Sequence, residues 1–167
     1  MQLLMSSKSA VTVRVRQVMR APAVTVPTRT PVWQAAALMD EFVCSFLPVV
    51  KDGSAIGVVT AWDLITRLAR RSRPGTSVPV DQVMTTPPVC VAEEMDVEDA
   101  LLLMREKRVH RLIVVDPMDK VAGILSLADL AGSVSDAGLR LHLERHAERS
   151  MQCPSYKDML EPTDHRR

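Results

Sequence analysis

Two stretches of the chain combine a hydroxyl and a carboxylate at a short fixed spacing, and both could bind a phosphorylated ligand. Residues 57–63 and 123–129 each contain glycine, two apolar residues, threonine or serine, two further residues and aspartate. A strand is expected to run into a helix that opens at Thr60 or Ser126, where backbone N–H groups and the hydroxyl favour an anion. The aspartate one turn later could accept hydrogen bonds from both hydroxyls of a ribose. The pattern predicts a nucleotide site at each stretch.

The same spacing also has a purely structural explanation. Serine or threonine followed three residues later by an acidic residue is the capping box, in which the two side chains satisfy the helix's own N–H groups. For one copy alone, the capping interpretation is favoured. Two copies favour the functional interpretation, because duplication brings two such helix ends together at one cleft, although duplication also copies caps.

The two stretches belong to an internal repeat. Its offset is 65 residues at first, which carries Val18 and Met19 onto Val83 and Met84, and 66 after one inserted residue, which carries Gly57 and Asp63 onto Gly123 and Asp129. The offset of 65 also relates Pro22 to Pro87, Val24 to Val89, Val32 to Val97, Ala35 to Ala100, Met39 to Met104 and Leu47 to Leu112. The repeat predicts five segments. They are a lead-in at 1–17, the first copy at 18–66, a linker at 67–82, the second copy at 83–132, and a tail at 133–167 with a helix at 139–149.

Within each copy, the hydrophobic pattern changes in the same order. A short alternating segment, 23–26 or 89–92, is typical of a strand, and apolar residues at helical spacing follow. Pro31 suits the first turn of the first of these helices. Two apolar runs then flank a turn, at 47–50 and 56–59 or at 112–115 and 121–125, and a second helix closes the unit. This order predicts an α/β (α+β) fold made of two βαββα units.

The paired repeats and their glycine-to-aspartate ends resemble CBS domains, and two copies resemble a Bateman module. The resemblance covers residues 18–132. It implies that two units pack about a pseudo-two-fold axis, around a cleft with two candidate nucleotide sites. The second copy, from Val109 to Asp129, is particularly similar to the last repeat of the nucleotide-sensing gamma subunit of AMP-activated protein kinase.

Carried over residue by residue, the resemblance implies a main site around the second motif. Asp129 would hold the ribose, while Ser126, His110 and Arg111 would face the phosphates. The planar guanidinium fork suits phosphate oxygens. An isolated histidine–arginine pair would be interpreted as the polar entry to a buried strand, but beside Ser126 and Asp129 the functional interpretation is favoured. The adenine slot would be lined by Val24, Cys44, Ser45 and Ile124.

A second, weaker site is implied at the pseudo-symmetric position. It would use Thr60 and Asp63, with Val58, Val89 and Val109 as its apolar wall. Ser45 and Phe46 stand where the main site has His110 and Arg111, so we expect this site to lose the cation. It should prefer a nucleoside or a less charged ligand, or stand empty.

Composition and charge exclude several classes of protein. Apolar residues make up 47% and charged residues 25%, which is typical of a globular protein, and the net charge of +1 creates no general attraction to nucleic acid or an anionic membrane. Three widely spaced cysteines without a C-x-x-C pattern favour a reducing cytoplasm. No apolar run approaches the roughly 20 residues that span a bilayer, so neither export nor membrane insertion is expected.

Three other sets of residues are weaker candidates. His142 and His146 could share one helix face, but no third metal ligand is evident, and no metal site is predicted. The arginine-rich run at 67–73 is interpreted as a solvated helix end rather than a nucleic-acid contact. Cys44 and Cys90 are expected to be small buried hydrophobes rather than redox groups. No nucleophile with an adjacent base is apparent, so we expect no enzyme activity.

The sequence therefore predicts a regulatory module that senses an adenine nucleotide and passes the ligand state to an effector protein. AMP, ADP or ATP are the leading ligands, and S-adenosylmethionine and NAD rank below them. A homodimer is expected, as is common in relatives. The alternatives are a ligand-free assembly module, in which the motifs serve only as caps, and, ranked lowest, a nucleic-acid-binding regulator.

Overall fold

The first half of the chain forms a three-stranded sheet with two helices. The computed structural model describes residues 13–69 and 78–130. The elements of the first unit are β1 (Val26–Pro27), α1 (Val32–Glu41), β2 (Phe46–Lys51), β3 (Ser54–Thr60) and α2 (Ala61–Ala69). In its sheet β1 runs parallel to β2, and β2 pairs antiparallel with β3.

The second half repeats this arrangement. Its elements are β4 (Cys90–Ala92), α3 (Val97–Lys107), β5 (Arg111–Val115), β6 (Val121–Ser126) and α4 (Leu127–Leu130). The strands pair in the same order and directions, and the register shifts at corresponding places, between Val49 and Val50 and between Val114 and Val115. The predicted mixed α/β fold of two βαββα units is confirmed.

The long helices begin and bury their apolar residues as the sequence pattern predicts. In α3, the Asp96 side chain accepts a hydrogen bond from the Glu98 N–H at 2.9 Å, which caps the first turn. Val97, Ala100, Leu101 and Met104 form its buried face. One detail differs in α1, because Pro31 is the residue before the helix, with extended backbone, rather than part of the first turn.

The first strand of each unit is shorter than predicted at its leading end. Pairing begins only at Val26 in the first unit and at Cys90 in the second. The residues just before them, including Val24 and Val89, instead line cavities between the two units. The peptide bonds that precede Pro22 and Pro87 are both cis.

Residues 13–20 and 78–85, which lead into the two units, cross over and pack into the other unit, and we name them the crossed segments. Val15, in a short 3-10 turn (Val15–Gln17), is fully buried in the core of the second unit, and its N–H donates to the Met95 carbonyl at 2.9 Å. Val80 lies in the equivalent turn (Val80–Gln82) and is buried in the core of the first unit, where its N–H donates to the Thr30 carbonyl at 2.8 Å. Each folded unit therefore takes its core from non-contiguous parts of the chain.

Each crossed segment ends by pairing with the middle of the other unit's last strand. Arg20 and Ile124 exchange two backbone hydrogen bonds, at 2.9 and 3.0 Å, and Thr85 and Val58 do the same at 2.7 and 3.0 Å. The motif glycine next to each contact allows this approach, because a Cβ on Gly123 would lie 2.8 Å from the Arg20 carbonyl oxygen. These bridges fix Arg20 and Thr85 beside the two sequence motifs.

Within the described residues, no helix is both long and apolar enough to cross a membrane. In the same part of the chain, no group of three or more histidine, cysteine or acidic side chains is arranged to hold a metal ion. His142, His146, Cys153 and the predicted tail helix lie outside the described residues.

Candidate functional site

A cavity of about 380 Å³ lies where β6 runs into α4, and we name it the Asp129 cavity. Both units form its walls, because Ser126 and Asp129 come from the second unit whereas Cys44 and Ser45 come from the loop after α1 in the first. The residues predicted for the main site that line it are Val24, Cys44, Ser45, Arg111, Ile124, Ser126 and Asp129. Arg20, Phe42 and Val43 line it too, although the sequence patterns did not single them out.

A second cavity, of about 320 Å³, lies where β3 runs into α2, and we name it the Asp63 cavity. It is also lined by both units. All residues predicted for the weaker site line it, namely Val58, Thr60, Asp63, Val89 and Val109. Thr85, from the crossed segment, lies beside them.

His110 is the one predicted main-site residue that lies elsewhere. It lines the Asp63 cavity and not the Asp129 cavity, whereas Arg111 and Phe46 line both. His110 directly precedes β5, which begins at Arg111, and of these two residues Arg111 alone lines both cavities. The expectation that the Asp63 cavity loses the cation is therefore wrong, because Arg111 borders it.

The turn after the first helix of each unit directs the following residues into the cavities. Val43 and Arg108 adopt left-handed backbone conformations, with φ of 48° and 54°. The next N–H, of Cys44 or Val109, then donates to a carbonyl in the last turn of the helix, at 2.8 or 3.0 Å. The same turn thus places Cys44 in one cavity and Val109 in the other.

Both motifs form complete capping boxes. The Thr60 N–H donates to Asp63 Oδ2 at 3.0 Å, and the Asp63 N–H donates to Thr60 Oγ1 at 3.1 Å. The second motif repeats this, since the Ser126 N–H donates to Asp129 Oδ2 at 2.9 Å. In both boxes the hydroxyl also donates to the same Oδ2. Capping therefore engages one carboxylate oxygen and leaves Oδ1 of each aspartate to other partners.

The two Oδ1 atoms have different partners. Asp63 Oδ1 lies 3.1 Å from Nη2 of Arg67, one turn later on α2, and accepts from the Thr85 hydroxyl at 3.4 Å. Asp129 Oδ1 accepts from Nε of Arg20 at 3.0 Å. The Asp129 side chain is 10% exposed, whereas that of Arg20 is 77% exposed. The Asp129 carboxylate is thus held by the Arg20 side chain, which lies largely in solvent.

Arg67 does more than pair with Asp63. Its Nη1 donates to the Val83 and Met84 carbonyls at 2.9 and 2.6 Å, and its Nη2 donates to the Thr85 hydroxyl at 2.8 Å. This arginine fastens the crossed segment to the first unit, so it is not the free end of a solvated helix. The remaining arginines of the run, at 70, 71 and 73, lie outside the described residues.

The two described cysteines differ in position. Cys44 lines the Asp129 cavity, whereas Cys90 lies in β4 and lines neither cavity. Burial raises the pKa of the Cys90 thiol, and the nearby charge of Asp119 raises it further. A raised pKa keeps the thiol protonated, which opposes the thiolate chemistry that a redox group needs.

Apolar and polar groups are segregated within the Asp129 cavity. Val24 and Ile124 supply half-buried apolar surface, and Phe42 and Val43 are 52% and 93% exposed near its lining. Asp129, Ser126 and Arg111 supply a carboxylate, a hydroxyl and a guanidinium. An apolar pocket with a few convergent polar groups suits a small ligand that has a flat apolar part and an anionic part.

Two βαββα units with crossed leading segments, around a cleft that holds two motif-lined cavities, define a paired-repeat module. The family model described as "CBS domain" matches residues 15–70 and 80–136. The chain belongs to the CBS-domain family and carries two CBS domains in tandem.

The comparisons with individual proteins agree with this family. The chain is 34% identical over 117 residues to the CBS domain-containing protein YhcV of Bacillus subtilis, covering 70% of this chain and 82% of the relative. A solved CBS domain protein of unknown function from Thermoplasma acidophilum, TA0289, is similar with a TM-score of 0.68 and 31% identity, over 80% of this chain and 77% of that one.

Two solved structures of similar fold contain adenosine compounds. The CBS domain protein PAE2072 of Pyrobaculum aerophilum was solved in complex with AMP, and it matches with a TM-score of 0.65 and 19% identity over 80% of this chain and 99% of its own. The CBS domain pair of protein MJ0100 was crystallised with methylthioadenosine and S-adenosylmethionine. It matches with a TM-score of 0.65 and 22% identity over 72% of this chain and 94% of its own. At these identities the likeness concerns the fold.

Proposed function

We propose that this protein is a regulatory module that binds an adenine nucleotide in the Asp129 cavity. The observation that carries the proposal is the state of the Asp129 carboxylate. Asp129 lines the cavity, its Oδ2 is engaged in the capping box, and its Oδ1 has only the exposed Arg20 as a partner among the described residues. A ribose hydroxyl can replace such a partner, because the 77% exposed Arg20 side chain can turn to water while the hydroxyl satisfies the largely buried Oδ1.

In this proposal each lining group has one role. Asp129 accepts the ribose hydroxyls, and Arg111 and the Ser126 hydroxyl bind the phosphate. The adenine base lies against the apolar surface of Val24 and Ile124, with Cys44 and Ser45 at its edge. AMP, ADP and ATP are the leading candidates, and the AMP complex of PAE2072 supports adenine nucleotides as the class.

The Asp63 cavity is proposed as the weaker site. Oδ1 of its carboxylate is held by Arg67 and Thr85, and Arg67 cannot leave without breaking its bonds to the crossed segment. A ligand there would use the apolar wall of Val58, Val89 and Val109 together with Thr60. His110, exposed at this cavity, would contact the ligand here rather than in the Asp129 cavity.

We further propose that ligand binding is regulatory because each cavity is lined by both units. A ligand that contacts both favours one relative arrangement of the units, and an effector protein that distinguishes the arrangements would read it. We expect no catalysis by this module and place it in the cytoplasm, as the cysteine pattern predicts.

A homodimer is the proposed assembly. The packed pair α1 and α2 leaves large apolar side chains in solvent, with Trp33, Trp62 and Ile65 exposed by 58%, 71% and 65%. Exposed apolar side chains of this size on neighbouring helices are typical of a protein interface. The same surface favours the ligand-free assembly module as the second candidate function.

Thermal unfolding in the presence of nucleotides distinguishes these two functions. The protein is melted with ~1 mM AMP, ADP, ATP, S-adenosylmethionine or NAD. A ligand at ~100 times its dissociation constant stabilises the folded state by about 2.7 kcal/mol, which raises the melting temperature by several degrees. Asp129→Asn should lose this shift, and Asp63→Asn, which disturbs the matching capping box, should keep most of it. If no compound raises the melting temperature, the assembly function replaces the sensor function.

A further inference from the structure

Arg20 is placed at the Asp129 cavity by the crossing of the chain, not by the sequence motif. Its backbone exchanges two hydrogen bonds with Ile124, so its Cα is fixed beside the cavity. Its side chain is 77% exposed, and Asp129 is its only hydrogen-bond or ion-pair partner within residues 13–69 and 78–130. A fixed backbone with one exposed side-chain contact allows the guanidinium to turn without moving the fold.

In the Asp63 cavity the arginine that pairs with the aspartate is held in place by several other bonds. Arg67 is held there by two backbone carbonyls, one hydroxyl and Asp63, and its side chain is 42% exposed. Removing the Asp63 contact would leave three of these bonds in place, so Arg67 would stay. Removing the Asp129 contact would leave Arg20 with no bond from its side chain to the described part of the chain.

The charges around the Asp129 cavity are not balanced. Its described lining holds the guanidinium groups of Arg20 and Arg111 and one carboxylate, that of Asp129. When a ribose takes over Oδ1 of this carboxylate, Arg20 loses its partner inside a cavity that already has a surplus of positive charge. A phosphate attached to that ribose offers the anionic oxygens that a guanidinium binds most strongly.

We propose that Arg20 is a displaceable counter-ion that gives the Asp129 cavity its preference for a nucleoside 5′-phosphate over the uncharged nucleoside. Without ligand, Arg20 pairs with Asp129 Oδ1. With ligand, the ribose hydroxyls occupy that oxygen and Arg20 turns to the phosphate. The proposal rests on the proposed binding of nucleotides at this cavity and adds the residue that decides which of them binds.

The experiment measures the dissociation constants of AMP and of adenosine by isothermal titration calorimetry, on the full chain. The variants are Arg20→Gln and, as a matched control, Arg16→Gln. Arg16 lies on the same crossed segment, is 53% exposed and pairs with Glu94 instead of a cavity residue. Both variants remove one exposed arginine, so a general loss of charge would affect them equally.

We expect Arg20→Gln to weaken AMP binding by about ten-fold or more, the usual effect of losing a charge-assisted hydrogen bond. Adenosine should bind equally well or up to a few-fold more tightly, because no competing cation remains on Asp129. Arg16→Gln should change neither constant. The quantity that decides is the ratio of the AMP and adenosine constants, which a merely structural role of Arg20 would not alter.

Other results would overturn the inference. An unchanged ratio in Arg20→Gln, whether both ligands weaken together or neither does, would show that Arg20 does not recognise the phosphate. Equal changes in Arg16→Gln would show a general effect of charge. If the unmodified protein binds neither AMP nor adenosine while remaining folded, the proposed function itself fails, and that result is distinct from an unchanged ratio.

Discussion

The Asp129 and Asp63 cavities are built from the same parts but hold their carboxylates differently. Each has a hydroxyl and an aspartate in a complete capping box, an apolar wall and the shared Arg111. The Asp63 carboxylate is fastened by an arginine that is itself tied to the backbone, whereas the Asp129 carboxylate is held by one largely exposed arginine. In the Asp129 cavity a ligand could therefore replace the partner of the carboxylate. In the Asp63 cavity the hydrogen-bonding capacity of the carboxylate is largely used without a ligand.

This difference shows which features duplication preserved and which diverged. The capping box, the motif glycine and the crossed segment occur in both units. The counter-ions do not correspond, because the repeat relates Arg20 to Thr85, and Arg67 is supplied by the helix after its own motif. The two units thus share the residues that build the fold, but they differ in the residues that contact Oδ1 of the aspartate.

The largest effect should come from the glycines that allow the crossed segments to approach. In Gly123→Ala the new Cβ would lie 2.8 Å from the Arg20 carbonyl oxygen, and in Gly57→Ala it would lie 3.1 Å from that of Thr85. A nearby methionine side chain can turn away, but a carbonyl held in a two-way bridge cannot. We expect Gly123→Ala to lower the free energy of unfolding by about 1–3 kcal/mol, and Gly57→Ala by less. Urea unfolding measures both, and equal costs would mean that the two bridges tolerate the same displacement.

Much of this fold could be predicted from the sequence, because the repeat and the change of hydrophobic period are local. The hairpins and the long helices follow from such patterns. The pairing of the two motif side chains is local too, because Ser126 and Asp129 lie about one helical turn apart at the start of the helix. Both line the same cavity, as predicted. Local patterns give no information on the crossing of the leading segments, since Val15 has the same type of neighbours whichever core it enters.

The crossing is the reason that the sequence did not indicate Arg20. Its contact with Asp129 joins residues 109 positions apart, and the motif alone predicts only the aspartate. The prediction assigned His110 to the Asp129 cavity, but it lines the Asp63 cavity. A resemblance carried over residue by residue does not show which of two adjacent cavities a side chain faces. An alignment of the two halves does relate Arg20 to Thr85, and a difference between a cation and a hydroxyl beside a motif is the signal to look for.

The next largest effect separates the two counter-ions in the absence of ligand. Arg67→Gln should lower the free energy of unfolding by about 1–2 kcal/mol, because it leaves the buried Asp63 and two carbonyls without a charged donor. Arg20→Gln should cost less than about 1 kcal/mol, because Arg20 is 77% exposed and loses a single bond, although Asp129 is as buried as Asp63. Chemical unfolding without nucleotide measures both. Similar costs would contradict the distinction between a fastened and a displaceable counter-ion.

The capping boxes should behave alike, in contrast to the counter-ions. Thr60→Ala and Ser126→Ala each remove the hydroxyl that accepts from the aspartate N–H, and each should cost about 1 kcal/mol without ligand. With AMP the two variants should differ, because the Ser126 hydroxyl is also proposed to bind the phosphate. Melting temperatures with and without AMP test this. A nucleotide-dependent loss in Thr60→Ala alone would place the main site in the Asp63 cavity.

The smallest effect concerns the two cysteines. The Cys90 pKa is raised above the ordinary thiol value of 9.0, so the folded state retains this proton to higher pH than the unfolded chain does. The resulting stability is fully present below about pH 9, the unfolded value, and is lost as the pH rises through the folded value. Cys90→Ala should flatten the decline of stability above pH 9, and Cys44→Ala is the matched control.

Alkylation followed by mass spectrometry compares the same two cysteines for ligand binding. AMP should protect Cys44, which lines the Asp129 cavity, and leave the alkylation rate of Cys90 unchanged. Protection of Cys90 instead would mean that nucleotide binding tightens the second unit's sheet rather than filling the Asp129 cavity.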